Sequence, residues 1–172
     1  MKATFTVAGT PVAKGRPRLG KFGTYTPEKT VNYENLVKLS YADQCENQKL
    51  NGYLIATIIA YMPIPKSTSK KNRQQMIDGT ILPDKKPDVD NIAKGILDSL
   101  NGIAYDDDSA VVTLHVAKQY SENPRVAVSI EEINRAPARN SKTYSCKDCG
   151  YISPPLARHD CVCPICGERM EV

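Results

Sequence analysis

Residues 86–100 read KPDVDNIAKGILDSL and are the most informative stretch of the chain. Its apolar residues recur at intervals of three to four positions: Ile92, Ile96, Leu97 and Leu100. That spacing predicts a helix over 88–100 with one apolar face, and Asp90 and Lys94 fall outside this face. Asn101 and Gly102 would end the helix. A helix with a single apolar face needs a layer to pack on, which we expect to be a β-sheet.

The same stretch begins a concentration of carboxylates in a chain whose net charge is +4. Asp88 and Asp90 are followed by a run of three acids: Asp106, Asp107 and Asp108. Clustered carboxylates disfavour one another's ionisation unless they are dispersed in water or share a cation. Hard oxygen ligands of this kind suit Mg²⁺ or Mn²⁺. An acidic site in a basic chain indicates an enzyme that acts on phosphodiesters.

A purely structural interpretation accounts for the same residues. Asp88 could be a helix N-cap, and Asp90 could complement the helix dipole in the first turn. Asp90, Lys94 and Asp98 are also spaced as a solvated stripe of ion pairs. The triple Asp106–Asp108 could be an ordinary acidic turn before a strand. Acids recur at the start of the helix and at the entry to the next strand. Because those two places can meet in space, the recurrence favours a shared site.

Basic segments precede the acidic ones. One lies between residues 14 and 29, and a second runs from 66 to 73, with Lys85 and Lys86 after it. A basic surface beside an acidic site is what phosphate-backbone binding followed by metal-assisted chemistry requires. Solubilising loop charge is the alternative for any single lysine. Five side chains are candidate DNA contacts: Lys14, Arg16, Arg18, Lys70 and Lys71.

The remaining pattern predicts a mixed α/β (α+β) domain in the order β-α-β-α-β-β, with helices packed on a small sheet. Residues 53–62 are apolar on both alternating faces and predict a central strand. Residues 111–116 and 126–130 predict two strands joined as a hairpin. The N-terminus does not resemble a secretory signal, and no apolar run is long enough to span a bilayer. We expect a cytoplasmic, nucleoid-associated protein.

The chain divides into a domain over 1–132, a basic linker over 133–143 and a cysteine-rich tail over 144–172. Two C-x-x-C-G knuckles in the tail predict a structural Zn²⁺ site with four thiolate ligands: Cys146, Cys149, Cys163 and Cys166. His159 and Cys161 are spare, and either could replace a ligand. A closed Cys₄ shell argues against catalysis at the zinc. Because the charges of the tail nearly balance, contact with a partner protein is at least as plausible as DNA binding.

The RusA family of Holliday junction resolvases carries the signature P-D-x-D-N-hydrophobic-x-K, which residues 87–94 resemble. Further segments are similar to family members in the same order along the chain: 14–18, 25–27, 97–102, 107–112, Lys118 and 124–126. The likeness covers residues 1–132. It leaves out the cysteine tail, which departs from the minimal family domain.

This resemblance implies a homodimer that binds four-way DNA junctions in recombination and repair and nicks two opposed strands using Mg²⁺. It places the essential acids, as Mg²⁺ ligands, on Asp88, Asp90 and Asp108. It places the active-site lysine on Lys94 and a further acid on Asp107; the residues that follow favour Asp108 over Asp107 as the essential one. Two other functions stay open: a nuclease selective for forks or flaps, and a non-catalytic zinc-ribbon DNA-binding protein.

Overall fold

The structure is a computed structural model that describes residues 1–16, 18–20, 23–133 and 147–148. The chain separates into two compact units, Met1–Ile133 and Asn134–Val172. The four predicted zinc ligands, His159, Cys161 and most of the linker lie outside the described residues. The zinc ribbon and the three-part division of the chain therefore stay predictions. No helix in the described ranges is long and apolar enough to cross a membrane.

The first unit contains three helices and a four-stranded sheet, which confirms the predicted mixed α+β fold. Its elements follow in order: β1 Lys2–Ala8, β2 Arg18–Gly20, β3 Gly23–Tyr25, α1 Glu28–Cys45, β4 Tyr53–Pro63, α2 Lys70–Ile77, α3 Val89–Leu100, a 3₁₀ turn Asp108–Ala110, β5 Val111–Ser121 and β6 Arg125–Ile133. The small antiparallel hairpin β2–β3 and the helix α2 add to the predicted order.

The sheet has the strand order β1-β6-β4-β5, so the predicted hairpin between β5 and β6 is wrong. β4 lies between them, antiparallel to β6 and parallel to β5. The connection from β5 to β6 passes the end of β4, where Pro63 is opposite Ser121. β4 is the most apolar strand, and a central position satisfies its backbone hydrogen bonds on both sides. This preference outweighs direct pairing of the two strands that are adjacent in sequence.

The core lies between one face of this sheet and the helices α1 and α3. β4 alternates strictly, and the side chains on its helix-facing side are buried: Leu54, Ala56, Ile58, Ala60 and Met62. α3 contributes the four apolar residues that the periodicity predicted, all of them buried, while Asp90 and Lys94 are exposed. α1 packs on β1 and α3, and α3 packs on β5. The apolar face of α3 thus fixes the first turn of that helix relative to the sheet.

Candidate active site

Asp88 stands at the N-cap position of α3, but its carboxylate makes no capping hydrogen bond. Only its backbone carbonyl is used by the helix, accepting from the N–H of Ile92 at 3.1 Å. Asp90 follows in the first turn, where its side chain accepts from the amide of Asn91 at 3.3 Å. Both aspartates are exposed. Because neither carboxylate is taken up by a cap or an ion pair of the described residues, both are available to bind a ligand.

A groove of about 650 Å³ opens beside Asp88. The N-terminal loop, residues 9–16 after β1, forms one wall and contributes Arg16, while Lys86 comes from the approach to α3 and Asn91 from its first turn. Lys29, from the first turn of α1, lines the groove as well. Arg16, Lys29 and Lys86 take part in no ion pair within the described ranges. The groove therefore presents three uncompensated cations around one carboxylate, a charge pattern that suits a phosphate backbone.

The loop that carries Arg16 is held by hydrogen bonds to α1 and α3. The N–H of Lys14 donates to the carbonyl of Asn91 at 2.9 Å, and the N–H of Gly15 donates to Thr30 Oγ1 at 3.3 Å. A Cβ on Gly15 would lie 2.6 Å from Thr30 Oγ1, closer than van der Waals contact permits. Glycine at this position therefore lets the loop lie directly on α1, which sets where Arg16 enters the groove.

Lys14 has a different environment from the other groove lysines. Its ammonium pairs with Glu34 on α1 at 2.7 Å and with Asp98 on α3 at 2.9 Å. Burial lowers the pKa of Lys14, but the hydrogen bonds and charges of Glu34 and Asp98 outweigh burial and leave that pKa raised. The structure thus uses Lys14 to tie α1 to α3. The charge of Lys14 is already balanced by these two carboxylates. Its role as a DNA contact stays a prediction.

The three acids of the second cluster have separate environments. Asp106 pairs with Lys49 at 2.6 Å. Asp107 caps the 3₁₀ turn by accepting the N–H of Ser109 at 2.9 Å, and this hydrogen bonding lowers the pKa of the Asp107 carboxyl. Asp108 is half-buried and takes part in no ion pair within the described ranges.

The acidic turn is anchored to the second half of α3. The hydroxyl of the buried Tyr105 donates to the carbonyl of Leu97 at 2.9 Å. The N–H of Ala104 donates to the carbonyl of Leu100 at 2.9 Å. Burial and the nearby carboxylates, Asp108 first among them, raise the pKa of Tyr105, so its phenol remains a hydrogen-bond donor throughout the physiological range.

The first acid pair, Asp88 and Asp90, and the second acid pair, Asp107 and Asp108, lie toward opposite ends of α3. Asp108 shortly precedes Val111, which is opposite Leu54 at the start of β4. Asp88 follows Pro87, whose carbonyl is bound by Lys118 further along β5. Val111 and Lys118 are about 23 Å apart along the strand. No group of three acids, histidines or cysteines in the described part of the chain is close enough to hold a metal ion. These contacts place the two acid pairs toward different ends of α3, and a metal site shared by them stays a prediction.

The other predicted catalytic and DNA-binding side chains lie outside the groove lining. Lys94 is exposed in the middle of α3, Arg18 is exposed on β2, and Lys70 and Lys71 are exposed at the start of α2; none of the four lines the groove. Sequence reasoning omitted groove residues from the candidate set: Lys29, Lys86 and Asn91. Lys86 and Asn91 are close enough in sequence to Asp88 to have been found. Only the packing of α1 beside the N-terminal loop brings Lys29 there.

Comparison with known proteins agrees with these features. Residues 8–131 match the family model described as "Endodeoxyribonuclease RusA". The chain is also similar to "Uncharacterized protein YqaN" of Bacillus subtilis (strain 168). The identity is 42% over 136 residues, which cover 76% of this chain and 96% of the relative. Residues 8–131, which match the family model, include the groove and both acid pairs. The chain belongs to the RusA family of endodeoxyribonucleases.

Proposed function

We propose that the protein is a Mg²⁺-dependent endodeoxyribonuclease that resolves Holliday junctions by paired symmetric nicks during DNA recombination and repair. The observation that carries this proposal is the groove, in which uncompensated cations surround the uncapped carboxylate of Asp88. Membership of the RusA family supports junction DNA as the substrate. The cations would hold a phosphate backbone against the start of α3, where Asp88 at the N-cap and Asp90 in the first turn would meet the scissile phosphodiester.

The donor set fits a hard divalent cation, because carboxylates are the ligands that Mg²⁺ takes from proteins. Asp88, Asp90 and Asp108 would hold it, and when bound it would polarise the phosphate and lower the pKa of an attacking water. Asp108 is preferred to Asp107 because the turn already uses the Asp107 carboxylate as a cap. Lys94, one helical turn after Asp90, would neutralise charge that develops on the phosphate or the leaving oxygen.

A homodimer is part of this proposal, because resolving a junction requires two cuts related by symmetry, which a two-fold dimer supplies. Membership of the RusA family supports the dimer. We further propose a cytoplasmic, nucleoid-associated protein whose tail binds a structural Zn²⁺ and contacts a partner protein. The four cysteines outside the described residues motivate that last proposal.

Cleavage of a synthetic four-way junction tests the function. With Mg²⁺, the wild-type protein is expected to place paired nicks at symmetric positions, and linear duplex should remain intact. Fork and flap substrates belong in the same experiment. Preferential cutting of forks or flaps would replace the resolvase by a nuclease of other structural specificity. Tight junction binding without a cut in any divalent metal would leave a DNA-binding protein.

The groove lysines are expected to carry part of the salt dependence of junction binding. In a plot of log affinity against log salt, the double variant Lys29→Gln/Lys86→Gln should have a slope smaller in magnitude by about 4, because each of the two protomers of the dimer loses two contacts. Each lost phosphate contact removes close to one released counterion. Fluorescence anisotropy with a labelled junction, measured without divalent metal from low to moderate salt, gives the slope.

Lys2→Gln/Lys38→Gln is the matched control, since it removes the same charge from β1 and the exposed side of α1, away from the groove. Its slope should equal that of the wild type. Equal slopes for the control and the groove variant, both reduced or both unchanged, would remove the groove from the DNA footprint. Lys70→Gln/Lys71→Gln, measured in parallel, decides whether α2 also contacts the backbone.

A further inference from the structure

We infer that Lys118 is a positioning residue of the nuclease site, whose ammonium holds the peptide loop that presents Asp88 to the groove. The inference rests on the proposed function, because it assigns Lys118 a task in the same reaction. Lys118 lies on β5 opposite Ala60 of β4, and its side chain is half-buried. It belongs neither to the acidic signature nor to the groove lining.

The geometry is a clamp on two carbonyls. Lys118 Nζ donates to the carbonyl of Lys85 at 2.9 Å and to that of Pro87 at 3.1 Å. The two carbonyls lie just before and at the end of the dipeptide Lys86–Pro87, which lines the groove. Pro87 is bonded directly to Asp88. In the described part of the chain, no other hydrogen bond holds the backbone of residues 85–87. A single side chain of the sheet therefore ties down the approach to α3.

The choice of partners distinguishes Lys118 from Lys14. Lys14 is neutralised by two carboxylates, whereas Lys118 binds only uncharged carbonyl oxygens and forms no ion pair with the described residues. A half-buried ammonium needs hydrogen bonds to replace those it made with water, and the two carbonyls provide them. Its positive charge remains uncompensated beside the Asp88 peptide. Lys118 can therefore both place the carboxylate and offset the charge of a nearby aspartate.

The rate of DNA cleavage should fall when these two hydrogen bonds are removed, because a small displacement of a reacting group costs up to about 100-fold in rate. Lys118→Met keeps the length of the side chain but removes its donors, and Lys118→Arg restores donors in a planar arrangement. Lys2→Met is the control, because Lys2 is exposed on β1 and pairs with Glu131. All proteins are compared as full-length chains.

Two measurements distinguish the hydrogen bonds of Lys118 from their effect on cleavage: hydrogen exchange and single-turnover kinetics. Hydrogen exchange followed by mass spectrometry reports on backbone amides of residues 84–92 without DNA or metal. Exchange there should be at least about 10-fold faster in Lys118→Met, as expected when a local opening is no longer opposed. Single-turnover junction cleavage should fall between about 10-fold and 100-fold. Junction affinity should change less than about 3-fold, and Lys118→Arg should recover most of both losses.

Each outcome decides a specific point. Unchanged exchange at 84–92 in Lys118→Met would overturn the clamp. Faster exchange with undiminished cleavage would overturn its role in positioning. A loss of cleavage that Lys118→Arg does not recover, with exchange raised throughout the domain, would mark Lys118 as merely structural. If the wild-type protein cuts no DNA, the proposed function and the role in the reaction fail together, while the exchange comparison still decides whether the clamp exists.

Discussion

Asp90→Asn is expected to reduce junction cleavage by roughly 1,000-fold, equivalent to about 4 kcal/mol of transition-state stabilisation. The substitution keeps the shape of the side chain but replaces a hard anionic ligand with a neutral amide. Junction binding should survive, since the variant also removes a negative charge that repels phosphate. Single-turnover cleavage in Mg²⁺ gives the rate, and a gel shift without divalent metal gives the affinity.

The fold should tolerate this change because Asp90 is exposed and its recorded side-chain contact is the amide of Asn91 at 3.3 Å. An acid in the first turn of a helix stabilises it by about 0.3–1 kcal/mol, so unfolding should shift little. Asp43→Asn on α1 makes the same change in charge at an exposed site away from the groove and should cut normally. Loss of junction binding in Asp90→Asn would instead identify Asp90 as structural, and normal cutting would remove it from the ligand set.

Ile58→Ala is expected to lower the free energy of unfolding by about 3 kcal/mol, because it opens a cavity in a close-packed core. Ile58 is fully buried in the middle of β4, opposite Val128 of β6 and Val116 of β5. For a domain of this size the melting temperature should fall by about 10 °C. Urea denaturation followed by circular dichroism measures the change, provided that the slope with denaturant is preserved.

Ile59→Ala is the matched control, because it removes the same atoms from the next residue of the same strand. Ile59 lies on the other face of the sheet, is half-exposed, and is opposite Ala127 and Ala117. Its substitution should cost about 1 kcal/mol or less. Equal losses from the two variants would mean that the face of the sheet opposite α1 and α3 is covered as thoroughly as the core.

Much of the fold could be predicted because the relevant signals are local. The spacing of Ile92, Ile96 and Leu100 reflects the 3.6-residue period of a helix, and the structure confirms both the helix and its buried face. The apolar run of β4 likewise indicated a strand with neighbours on both sides. The hairpin of β5 and β6 was wrong because alternation specifies which face of a strand is buried and does not specify its neighbour.

Only part of the candidate site could be predicted from the sequence, because local patterns do not specify which distant residues contact one another. Asp88 and Asp90 could be selected from their spacing, but whether Asp88 serves as a cap depends on side-chain geometry. Lys14 was chosen for its charge, and its pairing with Glu34 and Asp98 requires two helices to approach each other. The recurrence of acids at the start of α3 and at the entry to β5 suggested a shared site, whereas the contacts of Tyr105 and Pro87 place the two acid pairs toward different ends of α3.

Sequence patterns were therefore sufficient to predict the helices and strands of the core, the family and the acidic residues on which the chemistry is proposed to depend. These are properties of short segments, set by periodicity, propensity and local motif. Three features emerge only in the folded domain: the insertion of β4 between β5 and β6, the assembly of the basic groove, and the hydrogen bonds from Lys118 to the loop before Asp88. Each of those depends on residues far apart in the chain, and their distances become defined only when the shared core fixes the elements against one another.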